Sequence, residues 1–326
     1  MTAAPEPRLP TDLFGDVVAS VRRVFLAGPQ TVELAVGCLL ADGHLLIEDL
    51  PGLGKTTLAK TLARSLGLEF HRVQFTADLL PADVTGAMVL DPDTRRPAFR
   101  PGPVFTNLLM ADELNRASPR AQSALLEAME ERQVSVDGKS LPLPSPFLVL
   151  ATQNPFDAAG TSPLPHGQRD RFLLRLSLGY PDRSDEDRLL AGEDPAQQVR
   201  DLPPALAADD LQRLTAAVAT VHVSPVARGY VLDLVAATRA HPAVQVGASP
   251  RAAMALLRVA RAMAVAAGRD YVVPDDVQVV AGPTLAHRLL LHIGSQIPDA
   301  VVAEVLDAVP VPLVQEPGVQ GVGARP

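Results

Sequence analysis

Short apolar runs alternate with helix-like repeats through the first half of the chain. The runs are five or six residues long, which is typical of strands buried on both faces. They occupy residues 44–48, 70–75, 108–112 and 147–152. Segments 56–66 and 119–132 repeat apolar residues at helical intervals instead. This alternation predicts an α/β domain with a parallel sheet covered on both faces.

The pattern changes after residue 181, where helical repeats rich in Ala and Leu replace the strand signals. The predicted helices occupy residues 211–221, 226–239, 250–267 and 274–291. We therefore expect an α/β core at 17–182 and an all-α domain at 183–313. The two ends, 1–16 and 314–326, are rich in Pro and Gly and are predicted to be unstructured.

Charge and cysteine content narrow the classes of function. A net charge of −8 with a pI near 5.4 argues against a broad basic surface, so we expect no nucleic-acid partner. The single cysteine, Cys38, excludes an internal disulfide and suits a reducing cytoplasm. The N-terminus does not resemble a signal peptide, and no apolar stretch reaches the length of a transmembrane segment. A cytoplasmic location is therefore expected.

The stretch IEDLPGLGKTT, Ile47–Thr57, ends like a phosphate-binding loop but has Asp49 where that motif has its first glycine. A predicted strand precedes it and a predicted helix follows, so backbone N–H groups and a helix N-terminus could surround a phosphate. Asp tolerates positive φ better than most residues, and we expect Asp49 to replace the glycine in that way. The alternative is a Gly-rich turn opening an ordinary helix. The predicted contact residues are Pro51, Gly52, Leu53, Gly54, Lys55, Thr56 and Thr57.

Two acids follow the apolar run that ends at Ala111. Asp112, at the carboxyl end of a predicted strand, could hold Mg²⁺ beside a phosphate loop. Glu113 could orient or activate a water molecule. The run at 147–152 leads into Gln153 and Asn154, and the Asn154 amide could contact a γ-phosphate or the attacking water. Taken alone, Asn154 before Pro155 is also a common turn former.

Several longer motifs occur in order and together resemble the MoxR family of AAA+ ATPases. They are QFTADLLPADVTG at 74–86, the run from Gly102 to Val136 containing ADELNRA, LATQNP at 150–155, DRF at 170–172, GASPRA at 247–252 and GRDYVVPDDV at 268–277. The resemblance extends over about residues 17–312. Some family members also begin the loop with EDxPGxGKT, which makes Asp49 a family variant. The family implies a three-layer αβα nucleotide domain, a helical lid and a homo-oligomeric ring, usually a hexamer.

The resemblance also implies roles for individual residues. Residues 90–100 would lie in the family's helix-2 insertion and 133–146 in a β-hairpin, both facing the surface that remodels partners. The roles are Walker A for Lys55 and Thr56, with Thr56 a Mg²⁺ ligand, Walker B for Asp112 and Glu113, sensor 1 for Asn154, arginine finger for Arg171 and sensor 2 for Arg251. ATP and Mg²⁺ are the implied cofactors.

The arginine assignments have alternatives. The family usually has Glu, Ala and Leu where this chain has His166, Gly167 and Arg169, close to the expected subunit interface. Arg116 is therefore a second candidate for the finger, or else forms an ion pair at a helix start. Arg251 lies in the first turn of a predicted helix, where a cation opposes the helix dipole unless an anion is nearby.

The function expected from the resemblance is hydrolysis of ATP to ADP and phosphate to remodel, mature or load metal or cofactor into a partner protein. The partner would be a protein substrate or co-chaperone, and von Willebrand A domains are frequent among the family's partners. The alternative is the ATPase subunit of a metal-chelatase-like complex. A GTPase would need an Asn-Lys-x-Asp guanine reader, which the sequence lacks. A small-molecule kinase would not predict the helical domain with its SPRA motif.

Overall fold

The computed structural model describes residues 8–26, 28–90, 92–93, 95–155 and 162–312. Its strands form one five-stranded sheet and three two-stranded ribbons. They are β1 (Leu45–Glu48), β2 (Phe70–Gln74), β3 (Gly86–Leu90), β4 (Pro97–Pro101), β5 (Leu108–Asp112), β6 (Gln133–Val136), β7 (Lys139–Pro142), β8 (Leu148–Gln153), β9 (Leu174–Leu176), β10 (Val244–Val246) and β11 (Leu290–Leu291).

The α-helices precede, cover and follow the sheet, and many begin with Pro at the first helical position, where its missing N–H costs nothing. They are α1 (Pro10–Arg22), α2 (Pro29–Leu40), α3 (Lys55–Ser65), α4 (Pro81–Thr85), α5 (Pro119–Glu131), α6 (His166–Arg169), α7 (Arg183–Leu190), α8 (Pro195–Asp201), α9 (Ala208–Thr220), α10 (Pro225–Ala240), α11 (Pro250–Ala266), α12 (Pro274–Leu285) and α13 (Pro298–Ala308). None of the helices in the described ranges has the length and apolar character needed to cross a bilayer.

The five-stranded sheet is parallel, in the order β2-β5-β8-β1-β9. Alternate residues of β1 enter different apolar clusters, because side chains along a strand point to opposite faces. Leu45 and Ile47 belong to the apolar cluster that contains α1, α2, α3 and the lid helices, whereas Leu46 belongs to the cluster that contains α5. The sheet is thus covered on both faces, which confirms the predicted three-layer α/β class.

The predicted strands of the first half are found within one or two residues of their expected ends. The last strand of the sheet, β9, was not predicted, because three residues are too short to show a pattern. Residues 10–16 were wrongly predicted to be unstructured: they form the first half of α1, whose Leu13, Phe14 and Val17 are buried. The other parts of the predicted unstructured ends, 1–7 and 314–326, lie outside the described residues.

The second half is helical as expected but also contains a short antiparallel ribbon. Strand β10 pairs with β11, so the expectation of no strands after residue 181 was wrong. The helix predicted for 274–291 ends earlier, at Leu285, two residues after Pro283, whose missing N–H removes one bond of the helical ladder. The lid helices α9 and α11 share one apolar cluster with α1 and α2, so the lid and the start of the chain pack together.

A buried ion pair joins the lid to the sheet domain. The Arg288 guanidinium, 3% exposed, lies 2.7 Å from Asp170 and also donates to the carbonyl oxygens of Phe172 and Leu173. Burial lowers the pKa of Arg288, and the Asp170 carboxylate opposes that shift. Removing the carboxylate would leave a buried charge without its counter-ion.

We therefore expect Asp170→Ala to reduce the free energy of unfolding by about 3 kcal/mol. A matched control is Asp210→Ala, which removes a surface pair to Arg213 one turn away and should cost less than about 1 kcal/mol. Urea unfolding followed by circular dichroism, at one protein concentration, measures both. Equal losses in the two variants would contradict the prediction.

Candidate functional site

The phosphate-binding loop connects β1 to α3 at the carboxyl edge of the sheet. Gly52 and Gly54 have φ of 87° and 80°, a left-handed conformation in which glycine carries no steric penalty. Helix α3 begins at Lys55, so its free N–H groups and positive dipole end face the loop. Pro51, Leu53, Thr56 and Thr57 are all at least partly accessible. This geometry suits an anion.

Asp49 fits the loop in a different way from that expected. It is not among the described residues with positive φ, so it does not imitate a left-handed glycine. Asp49 is 8% exposed. Its carboxylate faces the segment that follows β9 in the same chain, where it accepts hydrogen bonds from Ser177, Leu178 and Gly179 at 3.0, 2.6 and 3.0 Å. Most of the donors that hold this negative charge therefore lie outside the phosphate loop, after β9.

Lys55 lies at the centre of this region. Its Nζ donates to the main-chain carbonyl of Asp49. Burial lowers the pKa of Lys55, and the carboxylates of Asp49, Asp112 and Glu113 oppose that shift. The loop and the two acids after β5 are thus close enough to interact electrostatically.

Thr152 of β8 holds the two acids in place. Its hydroxyl donates to Asp112 Oδ1 at 2.6 Å and accepts the backbone N–H of Glu113 at 2.9 Å. Glu113 has φ of 55°, a left-handed conformation that is uncommon for a side chain of its size and is often found at functional sites. Thr152 is 1% exposed, so this arrangement is fixed inside the sheet.

Two residues of β2, which sequence reasoning missed, also contact the acids. Arg72 lies 2.5 Å from Asp112, and Gln74 Nε2 donates to Glu113 Oε2 at 2.8 Å. The run 70–75 was interpreted as a buried strand although it contains polar residues. The signal available was their alternation: positions 72 and 74 share one face of a strand, which is unusual inside a continuous apolar run.

Asn154 and Arg116 are placed near the same edge. Asn154 directly follows β8, next to the end of β1. Arg116 Nε lies 3.1 Å from Glu113 Oε2, the local ion pair that was the alternative to a finger role.

Arg171 and Arg251 lie close to each other and far from Lys55. The Glu130 carboxylate binds both, with Arg171 Nε at 2.8 Å and Arg251 Nη2 at 2.7 Å. These two arginines, through their hydrogen bonds, hold the pKa of Glu130 below its usual value.

This cluster lies at the amino edge of the sheet. Met129 O contacts His44, the residue before β1, and Leu173 pairs with the same His44. A strand rises about 3.3 Å per residue, so the length of β1 separates the cluster from the phosphate loop by roughly 15 Å. Arg251 therefore has Glu130 as the anion near its helix N-terminus.

The residues at the carboxyl edge suit a magnesium nucleotide. The hydroxyl of Thr56, in the first turn of α3, and the carboxylate of Asp112 are hard oxygen donors of the kind Mg²⁺ prefers. Asp112 is 14% exposed at its side chain, so it remains accessible beside Arg72.

Comparisons with known proteins identify the family of the chain. The profile of the ATPase family associated with various cellular activities (AAA) matches residues 44–174, and that of the AAA lid domain matches residues 236–306. Chaperone MoxR1 of Mycobacterium tuberculosis is 40% identical over 95% of this chain and 85% of its own length. The chain belongs to the MoxR family of AAA+ ATPases. The resemblance seen in the sequence is thereby confirmed.

Two further relatives extend over nearly the whole chain. The uncharacterized Bacillus subtilis protein YeaC is 44% identical over 92% of this chain and 95% of its own. A crystal structure of a candidate ATPase from Cytophaga hutchinsonii has a TM-score of 0.85 and 35% identity, and the match includes 93% of this chain and 96% of that one. The similarity to both proteins therefore extends over the AAA core and the lid of this chain.

Proposed function

We propose that this MoxR-type ATPase is a Mg²⁺-dependent ATP hydrolase that assembles as a homo-oligomeric ring, such as a hexamer, to remodel a partner protein. The phosphates of ATP bind the loop from Pro51 to Thr57 and the N-terminus of α3, with Lys55 supplying the compensating charge. Thr56 and Asp112 hold Mg²⁺, which would neutralise phosphate charge when bound.

The water molecule that attacks ATP is oriented by the acid and amide at the carboxyl edge. Glu113 is fixed by Thr152 at its backbone and by Gln74 at its carboxylate, so it offers a preorganised base. Asn154, at the end of the adjacent strand, contacts the γ-phosphate or the water. Arg72 balances the negative charge of Asp112.

The observation that carries the ring proposal is the position of Arg171 and Arg251. Both lie on Glu130 at the opposite edge of the sheet from Lys55, so neither side chain reaches a nucleotide held by the same chain. A neighbour's nucleotide is the site they can serve, as finger and sensor. Arg116 is less suited to that role, because it already contacts Glu113 of its own chain.

Remodelling of a protein is favoured over metal chelation by the name of the relative Chaperone MoxR1. The ribbon of β3 and β4 also exposes apolar side chains, with Leu90 68% and Val89 41% accessible, which suits contact with a partner. A von Willebrand A domain protein is one partner class to test. The test is a capture experiment with the immobilised Glu113→Gln ring. If the ring captured a metal-chelatase subunit and not such proteins, the result would support the alternative function, the ATPase subunit of a metal-chelatase-like complex.

ATP binding itself is tested by Lys55→Ala. Loss of a charge-assisted contact to the β- and γ-phosphates is expected to weaken the Kd for Mg-ATP by about 10- to 100-fold. Isothermal titration calorimetry measures that change. The matched control is Lys60→Ala on the exposed side of the same helix, which should leave the Kd unchanged. If Lys55→Ala bound ATP as tightly as the control, the loop would not be the nucleotide site.

A further inference from the structure

Glu48, the last residue of β1, and Asp49, which follows it, connect the phosphate loop to the lid by separate routes. Asp49 is the first. Its Oδ2 accepts from Ser177, Leu178 and Gly179, and its Oδ1 accepts from Leu50 N at 2.9 Å, so both carboxylate oxygens are engaged. Residues 177–182, here called the lid linker, lead directly from β9 to α7. The first residue of the loop motif is thus fastened to the chain that enters the lid.

Glu48 is the second route, and it is independent of the first. Arg175 of β9 lies 3.3 Å from Glu48 and 2.5 Å from Asp299, in the first turn of the lid helix α13. Burial alone would lower the pKa of Arg175, but the carboxylates of Asp299 and Glu48 hold it above its usual value. The end of β1 is therefore also linked to α13 of the lid, through Arg175.

The main chain of Asp49 is where nucleotide would act on this connection. Its carbonyl oxygen accepts a hydrogen bond from Lys55 Nζ, the cation that pairs with β- and γ-phosphates in phosphate loops. A nucleotide bound in the loop would compete with the carbonyl for this ammonium group. The same residue that loses a contact on its backbone holds the lid linker with its side chain.

Asp49 is ionised, which strengthens its hydrogen bonds to the lid linker. Burial raises the pKa of this carboxyl. The hydrogen bonds from the N–H groups of Gly179, Leu50 and Leu178 and from the Ser177 hydroxyl lower the pKa by more, so it lies below the usual value. The carboxylate stays ionised at neutral pH. A glycine, which the phosphate-loop motif has at this position, could make none of these contacts.

We propose that Asp49 is a positioning residue that couples the phosphate loop to the lid linker, so that occupation of the loop changes how residues 177–179 are held. The inference rests on the proposed binding of ATP at this loop. Because Asp49 does not have the positive φ of the glycine it replaces, its backbone does not explain why an acid is found here. The coupling would explain it through the side chain.

Amide hydrogen exchange of the full-length protein, with and without Mg-AMP-PNP, tests the coupling. In the wild type the analogue should slow exchange in α3 and change exchange at Leu178 and Gly179. In Asp49→Gly these two amides lose their charged acceptor and should exchange at least about tenfold faster. Their response to the analogue should vanish while α3 still responds. A purely structural role would lower stability but would not remove the response.

Asp49→Asn is the milder variant should the glycine variant fold poorly. An amide has one oxygen, and both oxygens of Asp49 accept from N–H groups, so its NH₂ group must face a donor. It should also lose the response. The control is Asp182→Asn, which alters an acid of the same linker that caps α7 and does not contact the loop, and which should respond like the wild type.

The outcomes separate the two proposals. A response at α3 without any at Leu178 and Gly179 in the wild type would overturn the coupling and leave ATP binding intact. If Leu178 and Gly179 still responded to the analogue in both Asp49 variants, the coupling would also be overturned and ATP binding would again be left intact. No response at α3 in the wild type would instead overturn the proposed nucleotide site, and the coupling with it.

Discussion

Arg171→Ala is expected to lower kcat for ATP hydrolysis by about 10³-fold, the lower end of the range for arginine fingers. In the same chain, Lys55 compensates the charge that develops on the γ-phosphate. Arg171 of that chain lies roughly 15 Å from the phosphate loop, as estimated from the rise per residue along β1. Because Arg171 serves the neighbouring site, ATP binding to the variant's own loop should change little. Steady-state phosphate release measures the first quantity and calorimetry the second.

Mixed rings distinguish a neighbour's arginine from one in the same chain. A subunit with Arg171→Ala retains Glu113, and a subunit with Glu113→Gln retains Arg171. An interface between them in one orientation has both groups, so a mixture of the two inactive variants should regain part of the activity. The matched control replaces the second subunit by the double variant, Arg171→Ala with Glu113→Gln, and should regain none.

Absence of rescue in mixtures that co-assemble by light scattering would count against Arg171 and favour Arg116. The geometry argues the other way, since Arg116 contacts Glu113 and Arg171 shares Glu130 with Arg251. Glu130 also gives a physical reason for the pairing. One carboxylate holds two cations side by side at the amino edge until a phosphate competes for them.

Much of the site could be predicted from sequence because it lies at strand ends. Asp112 follows an apolar run directly, and Lys55 follows a glycine-rich loop, so local pattern was sufficient to find both. Strand ends of a parallel sheet meet at one edge, which brings residues far apart in sequence together. Four of the five strands of the sheet and the helical second half follow from the same periodicities.

The connections between these residues depend on pairings that a single sequence does not contain. Thr152 bridges the acids only because β8 lies beside β5, and Arg72 reaches Asp112 only because β2 pairs with β5 in one register. Asp49 was expected to replace glycine by its backbone. Its side-chain role depends on β9, a three-residue strand without a readable pattern. Short strands and side-chain bridges were therefore the part that could not be foreseen.

Glu113→Gln is expected to bind ATP with nearly unchanged affinity and to hydrolyse it on the order of 10² to 10³-fold more slowly. The amide keeps the volume of the side chain and can still bond to Gln74, whose own amide can turn to present its oxygen. The backbone remains held by Thr152, so the left-handed turn at this residue should persist. What is lost is the carboxylate that takes up a proton from water.

The matched control for this variant is Glu33→Gln, which changes an exposed glutamate on α2 and should hydrolyse ATP at the wild-type rate. Single-turnover measurements with saturating protein separate chemistry from product release. A slow chemical step with an unchanged Kd would assign proton transfer to Glu113. Hydrolysis at the wild-type rate would move that role to another group at the carboxyl edge, and Asn154 could not take it, because an amide does not accept a proton at neutral pH.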